Sequence, residues 1–445
     1  MTAAARPSGA CLAPGRPEAL PTEGTLYTRL FPDLPSPGHD AGGLTALGGK
    51  GGRCDGSASP AESRTEAGWP FFGQFIAHDI TADRSPLERS DHPVIANQRR
   101  PRLNLESVYG GGPSGTPYLY DPADSSLFLL AESGADVQRT WRGTAIIGDA
   151  RNDSHFFMNR LHLAFQRAHN AIARQLAAEG MDETERFEQA RNQITWSYQW
   201  VVMHEYLPKL VGQAVLNALR DGSLALPLAP GLNLPYEFAD AAFRYGHSQI
   251  RQSYRINATS GALDLFPDLL GFRPVAAERD IDWSLMFDTP GKPPAQRAMR
   301  INETLPFTLI KLPEAITGGM SDEAYHSLAN RDLRRGMVTE LPCGESVAHA
   351  LGLPVLSPQD VGATTWPGQT PLWFYILREA DVMADGDALG PVGGAIVAGV
   401  LQALIDRDPE SFLNAAPDWA PPGSSAQQPF GLVDLLARGQ TEKTA

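Results

Sequence analysis

The sequence predicts a mostly α fold: one large domain with long ordered loops between its helices and few short strands. Three features carry that expectation. The strongest periodicity is helical: over 156–178, Phe157, Leu161, Ala164, Phe165, Ala168, Ile172 and Leu176 recur at three- and four-residue steps and make one apolar stripe. Strand-like runs are sparse and short, as in GTAII at 143–147. The 43 glycines and 37 prolines among 445 residues require much of the chain to run as loops.

Taken in order, residues 1 to about 60 are rich in Gly, Pro and Ala and read as an extended arm ahead of a catalytic domain over 61–445. The segment 69–81 is a short amphipathic helix, and 83–140 is loop-rich around Gly110, Gly111 and Gly112. After the helix over 156–178 comes a second over 183–211, with Asp182 or Thr184 as its N-cap. A helix over 238–253 carries FRYGHSQIR. Helical patterns return near 321–336, 344–351, 371–382 and 392–406, and FGLVDLLARG (430–439) follows the linker APPGSSAQQP. No internal repeat has a solenoid or propeller period.

Composition narrows the function. With 42% hydrophobic and 20% charged residues the chain reads as soluble and globular. No run approaches the roughly 18 apolar residues of a membrane helix. The N-terminal MTAAARPSGACLAPGRPEALP lacks the apolar core of a signal peptide, so a cytoplasmic location is expected. Cys11, Cys54 and Cys343 are scattered, which suits neither a disulfide framework nor a CxxC metal site. A formal charge of −14 argues against a nucleic-acid partner, and QRRPR (98–102) and RDLRR (331–335) are too short to offset it. Oligomeric state is not legible.

Four polar clusters ask for chemistry. In FGQFIAHD (72–79), Gln74 and His78 are four residues apart and share a helix face with Ala77, while Asp79 lies about 100° round. The bland alternative is a buried His78 satisfied by backbone, with Gln74 and Asp79 at the surface. Arg151 stands just ahead of the 156–178 helix, either reaching inward as a fixed cation or pairing with Asp149 or Asp153. His247 lies in FRYGHSQI, and Asp332 sits among arginines in SLANRDLRRG.

GQFxxHD, then GDxRND before a helix ending in HN, then FRYGHS, then a late RxLxRG segment, together resemble the animal-type haem peroxidases of the peroxidase–cyclooxygenase superfamily, most closely their bacterial members. The resemblance covers roughly 66–440. It implies a haem peroxidase fold and reduction of hydrogen peroxide through a ferryl intermediate, with oxidation of a small organic or halide donor. His247 then corresponds to the proximal ligand of haem iron, His78 to the distal acid–base residue, Gln74 to its hydrogen-bonding neighbour and Arg151 to the distal cation.

Departures from the family pattern matter as much. The acidic residues that form haem esters in mammalian members are here Ala77 and Ser154, and a third attachment point is His155, so the expected cofactor is haem b, held non-covalently. His155 itself reads as an exposed or packing residue. The family's Asn beside the proximal His corresponds to Asp332, a carboxylate that would strengthen donation to iron; a shifted alignment would leave it as a partner of Arg331 or Arg335. Arg244 and Arg335 are expected at the haem propionates. Asp79, with Asn104 and Glu106 of RLNLESVYG, stands where the family binds Ca²⁺; an internally hydrogen-bonded loop is the alternative. Two rival functions are a fatty-acid dioxygenase or cyclooxygenase-like oxygenase and a non-catalytic haem-binding protein. The oxygenase reading is disfavoured because the family's radical tyrosine position is Arg244, with Tyr245 one residue on.

Overall fold

The computed structural model describes residues 27–56, 61–81, 97, 99–318, 321–362, 365–425 and 427–440. Residues 1–26, Cys11 and the expected boundary at 60 lie outside the described residues. Residues 27–56 pack onto the body. Leu30, Phe31, Leu44 and Cys54 are buried in the same apolar cluster as the main helices, and Glu237 accepts from the backbone N–H groups of Leu30 (3.0 Å) and Phe31 (3.2 Å). Helix α1 (Ala41–Gly48) starts at Asp40, whose carboxylate accepts from Gly43 N.

Helix α2 (Trp69–Ile80) is tightened at its start by Pro70, whose missing N–H costs nothing there. Its apolar side is unusually aromatic. Phe71 stacks on Phe157 at 4.3 Å and Phe75 on Phe165 at 4.8 Å, both partners belonging to α3 (Phe156–Ala178). Each such ring, wholly buried, contributes about 1.5–3 kcal/mol. That packing fixes which face of α2 is left to carry Gln74 and His78.

Helix α3 falls where its periodicity places it and is buried on most sides. Helix α4 (Glu183–Val201) packs along it, capped by Asp182 through Thr184 N and Glu185 N. The expected continuation to 211 exists but widens into a π-helical turn, Val202–Tyr206, before Leu207–Leu210. Such a turn re-aims side chains; Tyr206 here lines the central cavity. Helix α5 (Leu328–Val338) packs against α1, and α6 (Leu372–Ala384) and α7 (Pro391–Asp406) complete the core. None of the described helices is long and apolar enough to cross a membrane.

Two sequence expectations are corrected. The single helix over 238–253 is instead a short helix, Tyr236–Ala239, followed by a 3₁₀ turn, Ala242–His247, and a two-residue strand, Ser253–Tyr254. Ala241 breaks the helical path with φ −135° and ψ −73°, after which i→i+3 bonds such as Arg244 N to Ala241 O (3.0 Å) take over. GTAII forms no strand either. Only an isolated bridge joins Arg139 to Ala145 across a tip that turns at Gly143 (φ +86°), too short for a ladder. Among the described residues the paired strands are β1 (Glu62–Glu66) with β2 (Arg297–Met299), and Ser253–Tyr254 with Leu263–Asp264, all antiparallel.

Candidate active site

A cavity of about 310 Å³, counted as space open to the centre of a water molecule, lies between α2, the 150–155 turn, the 238–250 segment and α5. Gln74, Ala77 and His78 reach it from α2, since steps of three and four residues return to one helix face. Arg151, Ser154 and His155 reach it from the turn. His247 enters from the opposite side, at the end of the 3₁₀ turn. From α5 come Leu328, Arg331 and Arg335, again spaced three and four apart.

On the α2 side, His78 is tied through its back. Its Nδ1–H donates to Asn152 Oδ1 (2.8 Å), and Asn152 Nδ2 donates to His162 Nδ1 (3.1 Å). Burial, helped by the Arg151 guanidinium, lowers the His78 imidazole to about 4, so it is neutral at ordinary pH. Burial takes His155 and His162 to about 3.

One placement differs from expectation. Gln74 does not bond to His78; its Oε1 accepts from His155 Nε2 (2.9 Å). His155 takes the packed one of its two expected placements, in the cavity wall 5.3 Å from the Phe71 ring centroid. Arg151 lines the cavity, yet most of its donors are taken. Nε and Nη2 bond to Asp149 (3.0 and 2.7 Å), Nη2 also to the His78 and Thr81 carbonyls (3.0 and 2.6 Å), and Nη1 to Thr81 Oγ1 (3.3 Å). The guanidinium therefore caps the C-terminus of α2 and leaves one Nη1–H uncommitted. Of the two expected placements, a cation reaching inward or a partner of Asp149 or Asp153, the pairing with Asp149 is present, and the guanidinium closes the helix ahead of it as well.

On the opposite side the backing group is a carboxylate. Asp332 Oδ2 lies 2.5 Å from His247 Nδ1, and its Oδ1 accepts from Arg244 Nη1 (3.1 Å). Asp332 is buried on α5, one residue round from Arg331 and so aimed at the imidazole rather than into the cavity. Burial alone would raise its carboxyl; His247, then Arg244 and Arg335, outweigh that and hold it below the usual carboxylate range. Arg244, expected at a propionate, is thus engaged by Asp332 and by the Ala239 carbonyl (3.0 Å). Arg335 lies 3.7 Å from Asp240. Arg331, which the sequence offered only as a partner for Asp332, lines the cavity instead and rests on Tyr325 at 4.7 Å.

These residues fit haem. No Asp or Glu is among the described lining residues, while Arg151, Arg244, Arg331 and Arg335 all are, so the wall is cationic where the protein as a whole carries −14. Phe238, Phe243, Ile250 and Leu265 supply flat apolar surface beside His247. An imidazole whose Nδ1 is fixed by a carboxylate, as in His247, would offer its Nε2 to hold iron. Ala77 and Ser154, the positions where an ester would form, both reach the cavity without a carboxyl group.

The expected calcium ligands do not fit. Asp79 Oδ2 accepts from Leu105 N (2.9 Å), and Oδ1 accepts from Ser107 N (3.2 Å) and Ser107 Oγ (3.3 Å). Asn104 Oδ1 accepts from Glu106 N (3.2 Å). Glu106 pairs with Arg99 (3.3 Å), which also binds Asp149 (2.7 Å). Calcium needs six to eight converging oxygens, and among the described residues no three His, Cys, Asp or Glu converge. Burial pushes Asp79 up to about 7. The loop is internally hydrogen-bonded, and a guanidinium supplies the local positive charge.

Asn152 and His162 are the residues sequence reading passed over. One signal was available: His162 and His169 recur seven apart on a helix buried nearly all round, where a polar side chain needs a partner. His169 finds Tyr109 (3.1 Å) and the Ser126 carbonyl (2.8 Å), and Asn170 clamps Phe128 through both its backbone groups.

Residues 121–267 match the family model for the animal haem peroxidase domain. The chain is 32% identical over 118 residues to Heme peroxidase 2 of Caenorhabditis elegans, a stretch covering 23% of this chain and 16% of that protein. It therefore spans only a small part of the length of such relatives. Its fold is similar to that of Peroxidase A from Dictyostelium discoideum, with TM-score 0.67, 14% identity, and coverage of 96% of this chain and 95% of that one. It is also similar to fatty acid alpha-dioxygenase of Arabidopsis thaliana, with TM-score 0.65, 13% identity, and coverage of 90% and 74%. The stretch similar to the animal haem peroxidase domain contains Arg151, Asn152 and His247, and the fold shared with these solved structures is mostly α.

Proposed function

We propose that this chain is a haem-dependent peroxidase that reduces hydrogen peroxide and oxidises a small organic or halide donor. One observation carries the reading: His78 and His247 reach one cavity from opposite sides, with no Asp or Glu among its described lining residues, the first backed by an amide and the second by a buried carboxylate. His247 would hold the iron, Arg331 and Arg335 would meet the propionates, and the Phe238, Phe243, Ile250 and Leu265 side chains would pack on the macrocycle. With no Asp or Glu among the described lining residues, the haem would be b-type and held non-covalently. When bound, haem supplies the two-electron redox chemistry. The protein's part is proton handling and placement. His78, neutral above about pH 4, accepts a proton from peroxide at Nε2 and returns it to the departing oxygen, so water leaves instead of hydroxide. Arg151 contributes its charge and its remaining Nη1–H beside that oxygen. Asp332 draws on the His247 Nδ1–H and makes Nε2 the stronger donor.

The test is stopped-flow spectroscopy of the haem-loaded full chain with peroxide, followed by phenols, halides and thiocyanate as donors. A chain that develops no Soret band, or keeps it unaltered after His247→Ala, overturns the proposal. Haem retained on the polypeptide in acid acetone overturns the non-covalent part alone.

One observation favours fatty-acid oxygenation as a second reading: Tyr245 lines the cavity, and its hydroxyl is 2.7 Å from that of Tyr206. Such a buried phenol pair is a candidate radical site. Oxygenated products from linoleate and molecular oxygen would establish it; their absence alongside peroxide turnover would exclude it.

A further inference from the structure

The His78–Asn152–His162 chain has a chemical polarity. An amide oxygen accepts and an amide nitrogen donates. With Oδ1 at 2.8 Å from His78 Nδ1, that ring nitrogen carries the hydrogen; with Nδ2 at 3.1 Å from His162 Nδ1, the second imidazole presents a lone pair. Asn152 and His162 are both 0% exposed, so water does not compete for either bond. Asn152 is also fixed in the main chain, at the centre of a 3₁₀ turn over Ala150–Asp153 that Asp149 caps. His162 comes from α3, which is buried on most sides, and among the described residues its Nε2 meets no partner. The ring is therefore tied only through the amide.

We propose that Asn152, oriented by His162, is a positioning residue that holds His78 in its Nδ1–H tautomer and so keeps the Nε2 lone pair turned to the cavity. Imidazole free in water favours the opposite tautomer, with hydrogen on Nε2, which would face peroxide with a donor and could not take its proton. An amide suits this task better than a carboxylate: it fixes the tautomer without adding a charge that would hold the ring protonated. The consequence for turnover rests on the peroxidase reading; the tautomer itself does not.

The test is nitrogen NMR of the cofactor-free full chain carrying ¹⁵N-histidine, with His78 assigned by comparison with His78→Gln. In the wild type, His78 should show a protonated Nδ1 and an unprotonated Nε2. Asn152→Leu should move it to the Nε2–H form, and Asn152→Asp, which retains an acceptor at that place, should restore Nδ1–H. His162→Phe should leave a mixture. In the haem-loaded chain, Asn152→Leu should slow the reaction with peroxide by about 10–100-fold. A wild-type His78 protonated at Nε2 overturns the proposal without any variant, as does an Asn152→Leu chain that retains the wild-type signature. A chain that fails to take up haem would defeat the peroxidase reading and leave the tautomer result standing.

Discussion

The two walls of the cavity use the same side chain for opposite ends. On the α2 side His78 is backed by the neutral amide of Asn152; on the α5 side His247 is backed by the carboxylate of Asp332. Both partners engage Nδ1 and both leave Nε2 for the cavity. Only the charge of the partner differs. An amide leaves the imidazole a neutral base, whereas a carboxylate pushes electron density through it toward whatever Nε2 binds. What a histidine does in this protein is decided by the residue behind it, and the histidine alone does not announce it.

Removing each imidazole should break that contrast most sharply. His247→Ala should abolish the Soret band of haem-loaded protein. His78→Ala should retain the band and slow the reaction with peroxide by about 10²–10⁴-fold. Equal effects from the two variants would mean that the walls are not specialised.

Exchanging the partner is the next largest change. Asp332→Asn makes the proximal backing resemble the distal one. It should weaken haem binding by about 10–100-fold, with the ferric/ferrous potential moving upward, measured by spectroelectrochemistry. An unchanged potential would remove the donating role given to Asp332.

How these walls are held also differs. The α2 side is braced by Arg99, which joins Asp149 and Glu106 (2.7 and 3.3 Å), in the region where calcium was expected. Arg99→Met should destabilise the chain by about 1.5–3 kcal/mol in urea unfolding, since it takes one of two guanidinium partners from the largely buried Asp149 and leaves Arg151 as the other. A chelator should leave the wild-type midpoint where it is. A large loss of stability on chelation would restore the metal to this loop.

Much of this arrangement was legible. The stripe over 156–178 placed α3 correctly, and the i, i+4 spacing of Gln74 and His78 placed both on the cavity face, with Asp79 turned to the loop. What was missed follows a pattern. Periodicity reports which way a side chain points, not which neighbour it finds across 80 residues of chain. Gln74 finds His155, 81 positions away, and Arg151 finds the His78 carbonyl, 73 away. The helix expected over 238–253 failed for a related reason: its apolar spacing is real, but the backbone there bends to deliver His247 at the end of a 3₁₀ turn. The calcium reading took Asn104 and Glu106 for their oxygens, which are of the right kind but already engaged by Glu106 N and Arg99.

The smallest effect concerns acid. His155, like His162, is buried on the α2 side of the cavity, and burial lowers it to about 3. A histidine lowered on folding contributes stability above about pH 6.5, its unfolded value, and that contribution is lost as pH falls toward the folded value, because the unfolded chain takes up a proton that the folded one refuses. His155→Phe removes that liability and keeps a ring against Phe71. The variant also loses the bond to Gln74, so it should be less stable than wild type at pH 7. The gap should then shrink by about 2 kcal/mol between pH 7 and pH 5, read from urea midpoints at the two pH values. A constant gap would mean that His155 titrates alike in both states and is solvated, which its packing between Phe71 and Gln74 argues against.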